Sequence, residues 1–310
     1  MSQILVAGSL AFDRILNFDG LFADHILPNK IHSINVSFFA PVMEESMGGA
    51  AGNIAYSLAL LGEKPVILAR AGKDFEPYRE LLKKAGVDTS LVEIDKNVFT
   101  ASATILTDIK DNQITAFNPG AMTEAYTVPA LKGDFMIIAP TNPEDMRTLP
   151  RLARDGHIPF MFDPGQQIPM LSTDDLRNGI TGAKVFISND YELSLIMIKS
   201  GWSEAEVLEH CEMLVTTLGE KGSVIKTKTD TIEIPPAKPS AIVDPTGAGD
   251  GYRAGFTHAL MKGWPLDVAG RLGSVIAAYS VETRGTQTHA FSDDELRARY
   301  HKNYGVELPT

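Results

Sequence analysis

The chain has 310 residues, 44% of them hydrophobic and 22% charged, with a formal net charge of −11. That length and core content suit one large α/β domain with an elaboration, or two modest domains. The acidic balance, with a pI near 5.1, argues against a surface for nucleic acid or anionic membrane, and the lone Cys211 excludes an internal disulfide or a cysteine zinc cluster.

The start, Met1-Ser2-Gln3-Ile4-Leu5-Val6-Ala7-Gly8, lacks a basic region and reads as a first strand, not a signal peptide. No apolar run approaches the roughly 18 residues of a membrane span. A soluble, cytoplasmic protein is expected, with Cys211 a small buried hydrophobe on a helix.

Apolar, β-branched runs predict strands at Ile4–Ala7, Val66–Ala69, Phe135–Ala139, Phe160–Asp163, Val185–Ser188, Leu214–Thr217 and Ser223–Lys226. Helical spacing predicts helices at Gly52–Leu61, Tyr78–Ala85, Pro143–Ala153, Asp190–Lys199, Glu204–Glu212, Gly249–Lys262 and Leu266–Glu282. Such alternation implies a doubly wound, Rossmann-like, mostly parallel sheet with helices on both faces. Residues 15–45, with no convincing helix, and 97–118, with a turn at Asp111-Asn112, break the rhythm. They predict a small β-sheet lid built from insertions, leaving residues 1–14, 46–96 and 119–310 as the α/β core.

Asp244-Pro245-Thr246-Gly247-Ala248-Gly249-Asp250 carries the most chemistry, with strand-like Ala241-Ile242-Val243 before it and a helix after it. Small residues let a ligand reach the backbone, and the first amides of a helix attract anions. Asp250 would repel a phosphate there, unless it takes the proton of a hydroxyl that attacks that phosphate. An N-capped helix is the alternative for this run alone.

Three further clusters stand at strand ends or helix starts. Met47-Gly48-Gly49-Ala50-Ala51-Gly52-Asn53 allows a close ligand approach and offers Asn53 to hydroxyls; close helix–sheet packing is the alternative. Asp13, after the first strand, can accept from two vicinal hydroxyls, or cap a turn. Asn189 and Glu192 can hold Mg²⁺ through its waters, or form a capping box. Thr216-Thr217-Leu218-Gly219-Glu220-Lys221-Gly222 can meet a nucleotide phosphate, or be an ordinary turn. Arg284 to His289 can flank a base or cation, although a solvated or satisfied histidine is the commoner case. Chance placement of all four clusters at such points is far less credible than any one alternative.

These motifs resemble the ribokinase-like (PfkB) family of carbohydrate and nucleoside kinases, over essentially the whole chain. Gly48-Gly49 with Asn53, Asn189-x-x-Glu192, Thr217-x-Gly219-x-x-Gly222 and the Asp244 to Asp250 run carry the resemblance. It implies transfer of the γ-phosphoryl group of ATP-Mg²⁺ to a primary hydroxyl. By position it makes Asp250 the base and the amides of Gly247, Ala248 and Gly249 an anion hole. Asn189 and Glu192 serve the metal; Asn189, Thr217, Gly219, Gly222, Thr246 and Gly249 meet the nucleotide; Asp13, Gly48, Gly49 and Asn53 bind the acceptor. Asp244 and the backbone of 282–288 become a K⁺ site. Pro245 departs from the family, where many members carry Thr, and no lysine stands at a phosphate position.

Thr115 to Met122 and Phe162-Asp163-Pro164-Gly165-Gln166 look more like the nucleoside and adenosine kinase branch than like ribokinase or fructokinase. Phe38, Phe39 and Phe117 can stack on a base, or pack the lid or a dimer interface. The expected reaction is phosphorylation of the ribose 5′-hydroxyl of a nucleoside such as adenosine. A sugar kinase of the same fold, or a catalytically silent binding regulator, is the alternative. Family analogy adds a homodimer through the lid.

Overall fold

The computed structural model describes residues 3–110, 112–127 and 131–310. Its strands are β1 (Ile4–Ala7), β2 (Ala11–Asn17), β3 (Val42–Gly48), β4 (Val66–Gly72), β5 (Val92–Asp95), β6 (Ala101–Thr107), β7 (Gln113–Asn118), β8 (Phe135–Ile138), β9 (Phe160–Phe162), β10 (Val185–Asn189), β11 (Met213–Thr217), β12 (Ser223–Thr227) and β13 (Thr231–Ile234). Its helices are α1 (Phe22–His25), α2 (Ala50–Leu60), α3 (Glu76–Ala85), α4 (Pro143–Asp155), α5 (Thr173–Ile180), α6 (Asp190–Ser200), α7 (Glu204–His210), α8 (Ala248–Met261), α9 (Leu266–Ser280) and α10 (Asp293–Tyr304).

The main sheet runs β13-β12-β11-β10-β9-β8-β1-β4-β5 and is parallel from β11 to β5, with β12 and β13 added antiparallel. Strand alternation explains why the central runs are apolar throughout. In β1, Ile4 and Val6 pack on one face with Ile54, Phe256 and Ile276, whereas Leu5 and Ala7 pack on the other with Met146, Phe160 and Phe186. Water reaches neither face, so the doubly wound expectation holds. From β1 the chain winds first toward β4 and β5, then crosses to β8 and onward to β11. That reversal opens a crevice beyond the carboxyl ends of β1 and β8, where the Ser9 amide donates to the Pro140 carbonyl at 2.9 Å.

A second sheet, ordered β3-β2-β6-β7, stands apart from the first. Its strand β2 starts at Ala11, so Asp13 sits inside it, opposite Ser46 and Ala103, and not on the turn after β1. Between β2 and β3 lie the single turn α1 and a 3₁₀ segment at Pro28–Ser33, where only extended chain was expected. Of the turn expected at Asp111-Asn112, Asp111 lies outside the described residues. Ala241-Ile242-Val243 forms no strand: Ile242 and Val243 are exposed, and the Val243 amide donates to the Val281 carbonyl. The helices α5 and α10 and the strands β5 and β13 appear where none was expected.

Helices α8 and α9 approach unusually closely. A Cβ on Gly255 would lie 2.8 Å from the Leu272 carbonyl oxygen, and one on Gly273 would lie 2.9 Å from that of Tyr252. Replacing Gly255 with Ala must part the two helices, and we expect a loss of about 1–3 kcal/mol in denaturant-induced unfolding. An unchanged midpoint would show that the contact yields freely.

Candidate active site

The first turn of α8 opens toward the crevice. Gly247 caps it in the left-handed region, at φ 81°, which a residue with a side chain rarely adopts. The Ala248 amide already donates to Pro245, at 3.3 Å, while those of Gly249 and Asp250 precede any carbonyl the helix can supply. The anion-attracting end of the helix is therefore concentrated on these two amides.

A cavity of about 710 Å³ spreads in front of this turn. Its wall includes Asp13 and Phe117 from the second sheet, Gly49 and Asn53 from the start of α2, and Asn189, Glu192, Thr217 and Gly219 from the ends of β10 and β11. Thr246, Gly247, Ala248, Gly249 and Asp250 complete it. Gly48, Gly222 and Asp244 are not among its lining residues.

Asp250 is half-buried and accepts a hydrogen bond from Asn53 Nδ2 at 2.8 Å. Removal from water pushes its carboxyl up to about 6, against the opposing pull of Arg253 and Asn53; nearby Asp163 adds to the rise. Burial also raises Glu192, helped by Asp163, while the Asn189 amide and Arg253 restrain it.

Sequence reasoning missed two residues here. Arg253, three positions after Asp250 on α8, is buried in the cavity wall and pairs with buried Asp163 at 2.5 Å. Burial opposes its charge, but Asp163, Asp250 and Glu192 outweigh that and hold it above its ordinary value. Spacing i, i+3 from Asp250 was the available signal. Asp163 lies in the Phe162-Asp163-Pro164-Gly165-Gln166 run, whose branch resemblance assigned it no task.

The remaining motifs divide. Asn189 and Glu192 form a reciprocal capping box, Glu192 amide to Asn189 Oδ1 at 2.7 Å and Asn189 amide to Glu192 Oε2 at 2.9 Å, while also lining the cavity. Thr217 lies beside Asn189 across the β10–β11 pair. Gly222 shapes the next turn, since a Cβ there would lie 2.0 Å from the Ile234 carbonyl oxygen.

Gly49 is needed for packing, because a Cβ would strike the Ser9 carbonyl at 2.5 Å. The first amides of α2 are likewise taken, Ala50 by Ser9 Oγ and Ala51 by Ser9 O. Gly48 leaves room for Asp13, whose carboxyl is raised by burial and by the charge of Asp244. Asp244 accepts from the Thr246 amide at 2.9 Å and the Gly285 amide at 3.0 Å. Phe117 is half-exposed on β7. Phe38 instead joins Phe18, Phe22 and His25 in an aromatic cluster, and Phe39 lies exposed; neither lines the cavity.

His289 is buried beside Ser57 Oγ at 3.3 Å, and burial drives its pKa down to about 4, so it is a neutral, packed group. Arg284 pairs with Glu44 at the surface. Cys211 is buried just beyond α7, its thiol donating to Val207 and pushed up to about 12 by burial.

Residues 3–293 match the family described as pfkB family carbohydrate kinase. The chain belongs to that family. It is 33% identical over 307 residues to a nucleoside kinase of Methanocaldococcus jannaschii, covering 98% of each protein. The crystal structure of the nucleoside kinase from that organism superposes with a TM-score of 0.89 at 33% identity, over 97% of this chain and 99% of that one. A Burkholderia thailandensis nucleoside kinase in complex with inosine superposes at 0.85, with 35% identity, over 99% of this chain and 100% of that one. This pfkB-family member is thus a phosphotransferase acting on a hydroxyl group.

Within this pfkB-family site one guanidinium faces Asp163, Glu192 and Asp250. Replacing Arg253 with Met leaves those carboxylates uncompensated, and we expect about 3–5 kcal/mol of destabilisation at pH 7. Raised carboxyls favour the fold when protonated and lose that contribution as pH rises. The deficit against wild type should therefore shrink between pH 7 and pH 5; a deficit that grew over this range would refute the charge argument.

Proposed function

We propose that this pfkB-family kinase transfers the γ-phosphoryl group of ATP to the 5′-hydroxyl of a nucleoside, with Asp250 as the general base. The observation that carries this reading is the meeting, in one cavity, of Asp250, the open amides of α8 and Asp13 of the second sheet. Phe117 in the same wall offers an aromatic face to a base. Similarity to the two nucleoside kinases favours a nucleoside over a free sugar. A purine nucleoside, adenosine or inosine, is the acceptor we infer, because the Burkholderia protein is solved with inosine and with ADP-inosine.

In this reading Asp13 and Asn53 hold the ribose and set its 5′-hydroxyl against Asp250, with the second sheet as a lid. Asp250 takes the proton as the hydroxyl oxygen bonds to the γ-phosphorus; the bond from that phosphorus to the bridging oxygen breaks, and ADP leaves with the electron pair. The amides of Gly249 and Asp250 stabilise the charge on the transferring group, and Arg253 sets the field around the base. Thr217, Gly219 and Thr246 face the nucleotide.

The donor set also suits Mg²⁺. Asp163 Oδ1 is buried without a hydrogen-bond partner among the described residues, and it shares a wall with Glu192 and Asn189. Among the described residues no three His, Cys, Asp or Glu side chains form a cluster able to hold a metal ion. Mg²⁺ would therefore take water and phosphate oxygens as further ligands, and would neutralise phosphate charge. K⁺ would lie near Asp244 and the 282–288 backbone.

A panel of nucleosides and sugars with ATP-Mg²⁺, in K⁺ and in choline salts, tests the reading. We expect turnover of adenosine or inosine, none of ribose or fructose, and stimulation by K⁺. Fast ribose turnover without nucleoside turnover would sink the nucleoside assignment. The acidic limb of kcat/KM should fall near pH 6, since only ionised Asp250 accepts a proton and burial lifts it to about 6. Asp250→Asn should bind nucleoside yet lose roughly 10²–10⁴-fold in kcat; normal turnover would remove Asp250 from the base role.

A further inference from the structure

Behind the cavity lies a chain of buried polar groups that leads from the main chain to Asp250. We propose that Gln287 is a positioning residue: its amide fixes the orientation of Asn53, so that Asn53 presents a donor, and not an acceptor, to Asp250. The inference rests on the reading of Asp250 as the base.

The orientation follows from groups that cannot reverse. Tyr78 is fully buried, and burial raises its pKa far above the working range, so it keeps its proton. That proton goes to the Gly48 carbonyl, 2.8 Å away, which can only accept. The Tyr78 oxygen is left with lone pairs, and the Met47 carbonyl nearby is also an acceptor. The end of the Gln287 amide that faces them must therefore be the NH₂ group. Its Nε2 donates to Tyr78 Oη at 2.5 Å and to Asn53 Oδ1 at 2.9 Å, with Met47 O more distant at 3.4 Å. Asn53 must then turn its own NH₂ outward, and Nδ2 reaches Asp250 Oδ2 at 2.8 Å. Polarity set by a backbone carbonyl thus passes through three side chains to the carboxylate.

Two features show that this arrangement is imposed. Gln287 is one of the non-glycine residues with positive φ, at 60°, a conformation that persists only where its surroundings enforce it. The surroundings are visible: neighbouring Thr286 Oγ1 donates to Met47 O at 2.5 Å, and Asp244 holds the Gly285 amide. On the other side, Gly52 of α2 has no side chain, and a Cβ there would stand 1.8 Å from Tyr78 Oη and 2.9 Å from Gln287 Nε2. The helix leaves space for the relay.

The consequence is kinetic. With Asn53 reversed, its carbonyl oxygen would oppose the Asp250 carboxylate, so the ionised base would be disfavoured and displaced. Gln287→Glu keeps the shape but exchanges the two-proton NH₂ donor for a carboxyl with one proton at most, and Gln287→Met removes the polarity altogether. For both we expect kcat to fall roughly tenfold or more, the size of one lost charge-assisted hydrogen bond. KM for ATP should stay within about twofold, because a group acting only in the reaction step leaves nucleotide binding alone. The acidic limb of kcat/KM should move to higher pH. Asp250→Asn is measured in parallel, with thermal unfolding of every variant. A lower Tm with wild-type kcat and an unmoved limb in both Gln287 variants would overturn the positioning role while Asp250→Asn stays inactive. An active Asp250→Asn would instead overturn the base assignment itself. The near-isosteric Glu variant keeps the test available if the Met variant fails to fold.

Discussion

The site depends on a carboxylate held where the fold attracts anions. Asp250 stands in the first turn of α8, whose free amides favour negative charge, and it is partly withdrawn from water. Left alone, such a group would simply keep its proton. Arg253, one turn further along the same helix, prevents that, and is itself anchored by Asp163 from the end of β9. The cation cannot be moved to a flexible side chain elsewhere without losing its distance to Asp250. The end of strand β9, helix α8 and Asp250 are thereby joined through one ion pair.

That constraint explains the tight packing behind the site. For Arg253 to reach Asp163, the start of α8 must sit over the carboxyl ends of the strands, pressed between α2 and α9. Gly255 and Gly273 permit the contact with α9, and Gly52 permits the approach of Tyr78 to α2. Small residues in these helices therefore serve placement of the first turn that carries Asp250.

Much of the fold was legible because a buried parallel strand must be apolar on both faces, and β1, β8 and β10 are. Helix α10 was not, since only Leu296 and Tyr300 are buried on it; two apolar residues at i, i+4 do not stand out in a polar stretch, although its Ser292 to Glu295 capping box was readable. Asp13 was placed just after the first strand because only three residues separate β1 from β2, too few to signal a change of sheet. The Asp250 turn stood out in the sequence because an acid in a turn otherwise suited to phosphate needs a further explanation, although an acid at a helix start is locally favourable. For Gly48 and Gly49 the sequence left ligand approach and packing open, and the structure shows a packing requirement at both. A glycine required by Ser9 or by Asp13 looks the same in sequence as one required by a ligand. Arg253 and Gln287 were hidden because their partners, Asp163 and Asn53, are distant in sequence.

The charge balance also explains why such a site can be both stable and reactive. Near the cavity Arg253 meets Asp163, Glu192 and Asp250, an excess of carboxylate over cation. With no ligand bound, an ionised Asp250 works against the fold, since its raised pKa means that its contribution to stability is lost as pH rises through about 6. A nucleotide carrying a divalent cation brings the missing positive charge with it, so ligand binding relieves the repulsion that folding leaves in place. Phosphate without a cation would add to that repulsion, so the proposed function favours a metal–nucleotide complex over the bare nucleotide at this wall. The Asn53–Gln287 relay fits the same logic. It holds a donor against Asp250 by fixed polarity and without a further charge, which favours the ionised carboxylate that the proposed function requires.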